Sequence, residues 1–488
     1  MDNDGKWLVA SAAAALAAAA ALVFPQVAPA WPFAAVSAIP AAAVWILSRR
    51  FAAGCAALFF AVFAVAGGRV DSAARELDAL AVGRPGKCAE YEFAIPSVYS
   101  YVPPGEGKPG WFSFRASKGA LSFSVNCSIE PGDEIPAPGE KWRFAGWLER
   151  ARGLKPWQRR ALWVRGRGSS MERLSLAGRF SPQAFAARAR TSLYRRATAG
   201  LENMPEAAGL VRAVLFGDRK GISRDSRDAF AVAGTIHVFA ISGLHVMVLA
   251  KLLQTVFCVC GIPLRAAACV ALPLTWLYAC FVGAPPSAVR AAAMASFYYG
   301  SWTCWRRPDA IASWSQTLVA FALAAPETLG GTGCILSFAV MLSLALWSRF
   351  AGGCEAFVPL RAGGTAAAWL AGAPVVACAF GRFSPGALLA NIAAIPAVCA
   401  AFTAGILGVA ASFASEPVSR ALNAVAGLAM SSLAGFSRLF ASVPAFSFEV
   451  APWPLWMCAA WYAALAAAFI LVARRSRKLS LSNYTWSL

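Results

Sequence analysis

Residues 231–250 read AVAGTIHVFAISGLHVMVLA and hold both of the chain's histidines, His237 and His245, in one apolar stretch broken by Ser242-Gly243. Its length is that of a membrane span, since about 20 apolar residues cross the hydrocarbon layer. Polar side chains at that depth are costly unless they face a partner or a water-filled path. Two imidazoles, a hydroxyl and a glycine in one span therefore mark a built site, with satisfied interhelical hydrogen bonds as the structural alternative. An uninterrupted helix would set the two rings about 80° apart around its axis. No carboxylate lies in the stretch to complete the usual ligand set, so no metal site is expected.

Working outward, the 488 residues are 59% hydrophobic and only 14% charged, a composition that excludes an ordinary soluble domain. The fold class expected is a polytopic α-helical membrane protein of about 12 spans. Three spans come first, near 7–24, 27–47 and 51–67. Nine more follow at roughly 235–260, 266–284, 286–304, 309–325, 333–348, 366–381, 386–411, 420–444 and 452–473. The alanine-rich start, with Ala28-Pro29-Ala30, has some features of a signal peptide, but a second apolar run follows at once and a third after it. Arg49 and Arg50 place the N-terminus in the cytoplasm and deliver the chain outside at Arg69. The same span parity puts Arg306-Arg307, Arg349 with Arg361, and the run 474–478 inside, in agreement with the positive-inside bias. The expected layout is three helices over 1–68, an extracytoplasmic β domain over 69–178, interfacial helices over 179–234, a helical membrane domain over 235–473 and a basic tail over 474–488.

The net charge of +20 exceeds what cytoplasmic loops need, because residues 69–200 alone hold 22 Lys and Arg against 12 Asp and Glu. Within this block, short alternating runs at 91–102, 111–116, 120–127, 141–150 and 161–167 are punctuated by Pro and Gly. They predict about five strands closing as a small OB-like barrel, with a small sandwich as runner-up. Eleven of the 13 cysteines lie in or beside apolar spans, where Cys behaves as a small hydrophobe. The other two, Cys88 and Cys127, are expected to form a disulfide if the block is outside. Trp111, Phe112, Phe114, Tyr99 and Tyr101 beside Arg115 and Lys118 combine stacking faces with phosphate neutralisation, the two ingredients of sequence-tolerant single-strand binding. The competing reading for each aromatic is the domain core. Residues 179–201 return to a helical period with Arg188, Arg190, Arg195 and Arg196, a helix suited to lying on membrane lipid. Arg212, Arg219 and Lys220 extend this basic approach toward the histidine span.

In the membrane half, Ser287, Arg290, Ser337, Asn391 and Pro396 recur at depth beside His237, Ser242, Gly243 and His245. Arg290 is the costliest and should face a partner or an aqueous cavity, unless it snorkels from a helix end. The segment HVFAISGLHV (237–246) resembles the signature of the ComEC/Rec2 family of DNA-uptake channels. VGAPPSAVRAAAM (282–294), GGTGCILSFAVMLSL (330–344) and RFSPGALLANIAAIPA (382–397) resemble that family in the expected order. Its few spans followed by an extracytoplasmic OB-like domain are similar to the N-terminal half as well.

The resemblance implies an inner-membrane channel passing single-stranded DNA into the cytoplasm during natural transformation. Many relatives carry a C-terminal metallo-β-lactamase-like nuclease. The present sequence stops ten residues after Lys478 and has no histidines to spare for a two-metal cluster, so nuclease activity is not expected of it. Neither GDRKGIS (217–223) nor GEGKPG (105–110) fits a phosphate-binding loop, and no cofactor is expected. Drawing each phosphate inward against an inside-negative potential costs about 2.3 kcal/mol per 100 mV. The implied partners are therefore an extracytoplasmic DNA receptor, a cytoplasmic helicase-like ATPase and single-strand-binding proteins. A transporter or scramblase for a lipid or anionic metabolite is the rival reading. An intramembrane hydrolase built on Ser242 and His245 lacks an acidic orienter.

Overall fold

The computed structural model describes residues 89–468 together with 11–12, apart from 97–98, 103–109, 119–120, 130–133, 151–163, 176–181, 304–307, 326–327, 330, 352–356, 444–445, 455 and 466. The three expected N-terminal spans, Cys88 and the basic tail lie outside the described residues. The chain divides into two compact units, 1–196 with 257–331 and 197–256 with 332–488.

The first unit holds the β domain. Its strands are β1 (Ala89–Ala94), β2 (Tyr99–Val102), β3 (Gly110–Lys118), β4 (Leu121–Ile129), β5 (Lys141–Arg150) and β6 (Val164–Ser175). They form one six-stranded sheet in the order β1-β5-β6-β4-β3-β2, antiparallel except for the β4–β6 pair. The sequence suggests five strands; the expected first one is split after Ala94, where Ile95 exchanges backbone hydrogen bonds with Gly139 and Glu140 instead of continuing the ladder. Among the described residues no ladder joins β1 to β2, so the pairings describe an open order rather than a closed barrel. Alternation along β3 does what a period of two requires: Phe112 and Phe114 are buried while Trp111 is 45% exposed. Phe93, Val125, Cys127 and Trp142 complete that core. The Glu140 carboxylate is buried with them, accepting the Trp142 indole N–H at 2.8 Å and the Ala137 N–H at 2.9 Å.

The same unit contains α1 (Pro182–Ala197), α5 (Leu264–Phe281), α6 (Pro286–Thr303) and α7 (Ala310–Ala324). The second unit contains α2 (Pro205–Phe216), α3 (Arg224–Val232), most of α4 (Gly243–Val259), α8 (Thr332–Ala351), α9 (Phe357–Phe380), α10 (Gly386–Ala411), α11 (Glu416–Ala441), a helix over Trp456–Leu465, and a two-stranded sheet of β7 (Arg382–Phe383) and β8 (Phe448–Glu449). Leu264–Phe281 and Gly386–Ala411 begin and end beside Gly, Pro or polar residues close to the ends of their apolar runs, while Pro273, Pro374 and Pro396 are accommodated inside α5, α9 and α10. Among the described residues four helical segments are long and apolar enough to cross a membrane: Leu264–Phe281, Gly363–Phe380, Gly386–Ala411 and Glu416–Ala441. In the second unit α10 packs along α11 and against α2 through glycines: Gly405 faces Leu215 and Gly408 faces Asn423. Small residues of this kind let helices approach closely where lipid supplies no hydrophobic drive.

Candidate functional site

The expected histidine span is not one helix. α3 starts on Ser223, whose Oγ accepts the Ser226 N–H at 3.2 Å, and ends at Gly234, which sits at φ +74°. The Thr235 N–H bonds to the Phe230 carbonyl at 2.9 Å and the Gly234 N–H to the Ala231 carbonyl at 3.2 Å, the paired bonds of a left-handed glycine stop. One 3-10 turn, Ile236–Phe239, follows, then extended backbone at Ala240, and only at Gly243 does α4 begin. Polar groups hold this break. Arg219 donates from Nε to the Phe239 carbonyl at 3.0 Å, satisfying an acceptor at the end of the turn. Arg382 of β7 donates to the Ala231 carbonyl at 3.4 Å, and the Gly234 backbone lies against Ala387 and Ser384. Phe230 packs on Phe239 with ring centroids 4.5 Å apart.

The two imidazoles occupy different settings. His237 is exposed, and its Nδ1 lies 3.1 Å from the Gly234 carbonyl. A carbonyl only accepts, so Nδ1 carries the proton there. His245 is 1% exposed, with Nδ1 at 3.2 Å from the Ser242 N–H and 3.0 Å from Ser242 Oγ, and its ring meets Phe402 of α10 in a T-shaped contact at 5.2 Å. It hydrogen-bonds across the Ser242-Gly243 break, while His237 is the exposed ring.

The other expected positions scatter. Asn391 and Ser337 are half-buried on α10 and α8, Pro396 is exposed on α10, and all three belong with the histidines to the second unit. Ser287 and Arg290 belong to the first, where Arg290 is 5% exposed near the start of α6 rather than snorkelling outward. Among the cations, Arg188, Arg195 and Lys220 are exposed, Arg196 and Arg212 half-buried. Arg190 leaves the expected basic approach: it donates to the Phe281 carbonyl at the end of α5, with its guanidinium 5.4 Å from the Phe281 ring centroid. A helix end with open carbonyls is where an arginine gains most from the helix dipole. Trp111 presents its ring to solvent, Phe112 and Phe114 are core, and the register sets Tyr99 opposite Phe114 and Tyr101 opposite Phe112. The Arg115 and Lys118 side chains lie outside the described residues, as does the proposed partner of Cys127, which is buried in β4.

Three polar residues that sequence reasoning passed over form a joint in the second unit. Arg438 of α11 bonds to Glu206 of α2, and to Ser226 of α3 at 2.9 Å, while Ser226 donates to the same Glu206 oxygen. An arginine late in an apolar helix was the available signal, by the same reasoning that singled out Arg290. Gln254, 1% exposed on α4, accepts from Lys251 at 3.3 Å and is a further buried polar group in the span.

The family model described as "Competence protein" matches residues 214–475. ComE operon protein 3 of Bacillus subtilis (strain 168) is 37% identical over 145 residues, which are 30% of this chain and 19% of that protein, so the match spans about a fifth of the relative's length. No solved structure matches. The matched region begins on α2 and takes in the interrupted span, the α10–α11 pair and the two-stranded β7–β8 sheet, more than half of the sequence, and the chain belongs to the competence-protein family.

Proposed function

We propose that this chain passes single-stranded DNA inward across the bacterial inner membrane during natural transformation. The observation that carries the reading is the interruption at 233–242, between the charged helix α3 and the apolar α4, inside the family-matched region. Irregular backbone at membrane depth is tolerated where it is buried in protein or lines a water-filled cavity, and here it presents His237 outward. The reading adopts about 12 spans and an OB-like extracytoplasmic domain. Trp111 supplies that domain with a stacking face, and Arg188, Arg195 and Lys220 supply exposed charge. A cytoplasmic helicase-like ATPase and single-strand-binding proteins supply the work, and an extracytoplasmic receptor delivers the strand.

The rival, a carrier of a lipid or anionic metabolite, binds one head group, whereas a strand is held at several phosphates. Titrating the affinity of purified full-length protein for a fluorescent oligonucleotide against salt separates them. Each phosphate neutralised on a single strand contributes about −0.7 to the slope of log affinity against log salt. The expected slope is steeper than about −2, and Arg188→Ala with Arg195→Ala lowers its magnitude by about 1.4. A slope shallower than about −1 in the unmodified protein favours the carrier.

No hydrolase activity is proposed. Ser242 Oγ lies within reach of His245 Nδ1, but the ring's Nε2 has no hydrogen-bond partner among the described residues, so no carboxylate orients it as a base. A fluorophosphonate is expected to leave Ser242 unmodified; a stoichiometric adduct there would make the chain a serine hydrolase.

A further inference from the structure

The two histidines do different jobs, and we infer that His245 is a positioning residue, a neutral cap that fixes where the helix restarts after the break. α4 begins at Gly243, and the Val246 N–H reaches the Ser242 carbonyl at 3.5 Å, which makes Ser242 the capping residue and His245 the third residue of the helix. In a capping box the side chain at that third position reaches back and accepts the backbone N–H of the capping residue, a task Glu or Gln usually performs. Here His245 Nδ1 performs it. A backbone N–H can only donate, so Nδ1 is the unprotonated nitrogen and the Ser242 hydroxyl donates to it as well. The proton then sits on Nε2, the tautomer opposite to that of His237, whose Nδ1 donates to the Gly234 carbonyl.

The choice of imidazole follows from depth. Glutamate at this position would place a charge inside an apolar helix, at a cost of several kcal/mol. A neutral imidazole supplies the acceptor without the charge, and its ring also packs edgewise on Phe402. Holding the Ser242 N–H holds the extended backbone at Ala240, and with it the 3-10 turn that presents His237. Under the conduit reading on which this rests, the buried histidine sets the shape of the break and the exposed one meets what passes.

The chain's two histidines make the test direct. In purified full-length protein labelled with 15N-histidine, one ring is expected as the Nδ1–H tautomer and the other as Nε2–H, and His237→Gln should remove the Nδ1–H signal. A protonated Nδ1 on His245 overturns the cap, and this arm needs no variant at position 245. Hydrogen exchange across residues 241–247 is expected to quicken about fivefold in His245→Ala and stay within about twofold of the parent in His245→Gln, which keeps an acceptor at the third position. Equal exchange in all three proteins overturns the inference. DNA uptake in cells should follow the same order; Gln as slow in exchange as the parent yet as defective in uptake as Ala would show that passage needs the imidazole itself, and the positioning role would fall. If the parent gene supports no uptake at all, the conduit reading fails while tautomer and exchange still decide the cap.

Discussion

Gly209→Val is expected to remove folded protein from the membrane fraction, while Gly435→Ala leaves its amount and melting temperature unchanged or slightly raised. Gly209 lies on α2 where the elbow between α2 and α3 crosses it: a side chain there would fall inside contact distance of the Gly221 carbonyl, and a side chain on Gly221 would come within 2.9 Å of the Gly209 Cα. Backbone faces backbone, so no rotamer change relieves the clash. Overpacking costs about 1–3 kcal/mol when side chains can give, and more where the chain itself must move. The displaced elbow carries Arg219, whose Nε holds the Phe239 carbonyl, so the loss reaches the interrupted span. Gly435 on α11 has nothing within 4 Å of the added carbon among the described residues, and alanine there gains about 0.4–1 kcal/mol through the unfolded chain. Quantifying both variants in membranes, and melting Gly435→Ala beside the parent, checks the pair; a Gly209→Val protein present at parental level would mean that the elbow is not packed on α2.

The helices were the legible part. Their apolar runs are bounded by residues that stop helices for local reasons, so Leu264–Phe281, Pro286–Thr303 and Gly386–Ala411 lie within a few residues of their sequence-predicted ends. The break within 231–250 was only half legible. Ser242-Gly243 announces the restart, but the stop is at Gly234, and an isolated glycine in an apolar run reads equally well as a tolerated helix residue. What bars a side chain at that stop is Ala387, 153 positions away, which an added Cβ would strike. Periodicity does not carry contacts of that range.

Charge was legible and its partners were not. The arginines at 190 and 219 look alike in a basic stretch, yet both turn to backbone carbonyls at helix and turn ends, while Arg188 and Arg195 remain exposed. A helix or turn end leaves acceptors open wherever the fold places it, and that placement is a tertiary matter. His245 shows the same limit. Spacing shows that it can reach Ser242, but whether the ring faces a path or its own helix start depends on Phe402, more than 150 residues on. In the β domain the sequence groups Phe112 and Phe114 with Trp111 and burial separates them, while the split of the expected first strand and the parallel β4–β6 pairing depend on contacts the alternating pattern leaves unspecified.

Passage itself carries the largest expected effect. Each phosphate drawn inward against the potential costs about 2.3 kcal/mol per 100 mV, so a channel without a motor moves a strand only when something inside holds it. The full chain reconstituted in vesicles loaded with a single-strand-binding protein isolates this step: a fluorescent oligonucleotide is added outside, external DNA is then digested, and the protected fluorescence is read. Protected label is expected to accumulate only in vesicles holding both the chain and the trap, and to fall to the level of protein-free vesicles when either is left out. Folded chain in trap-loaded vesicles that protects no more label than protein-free vesicles would contradict the account.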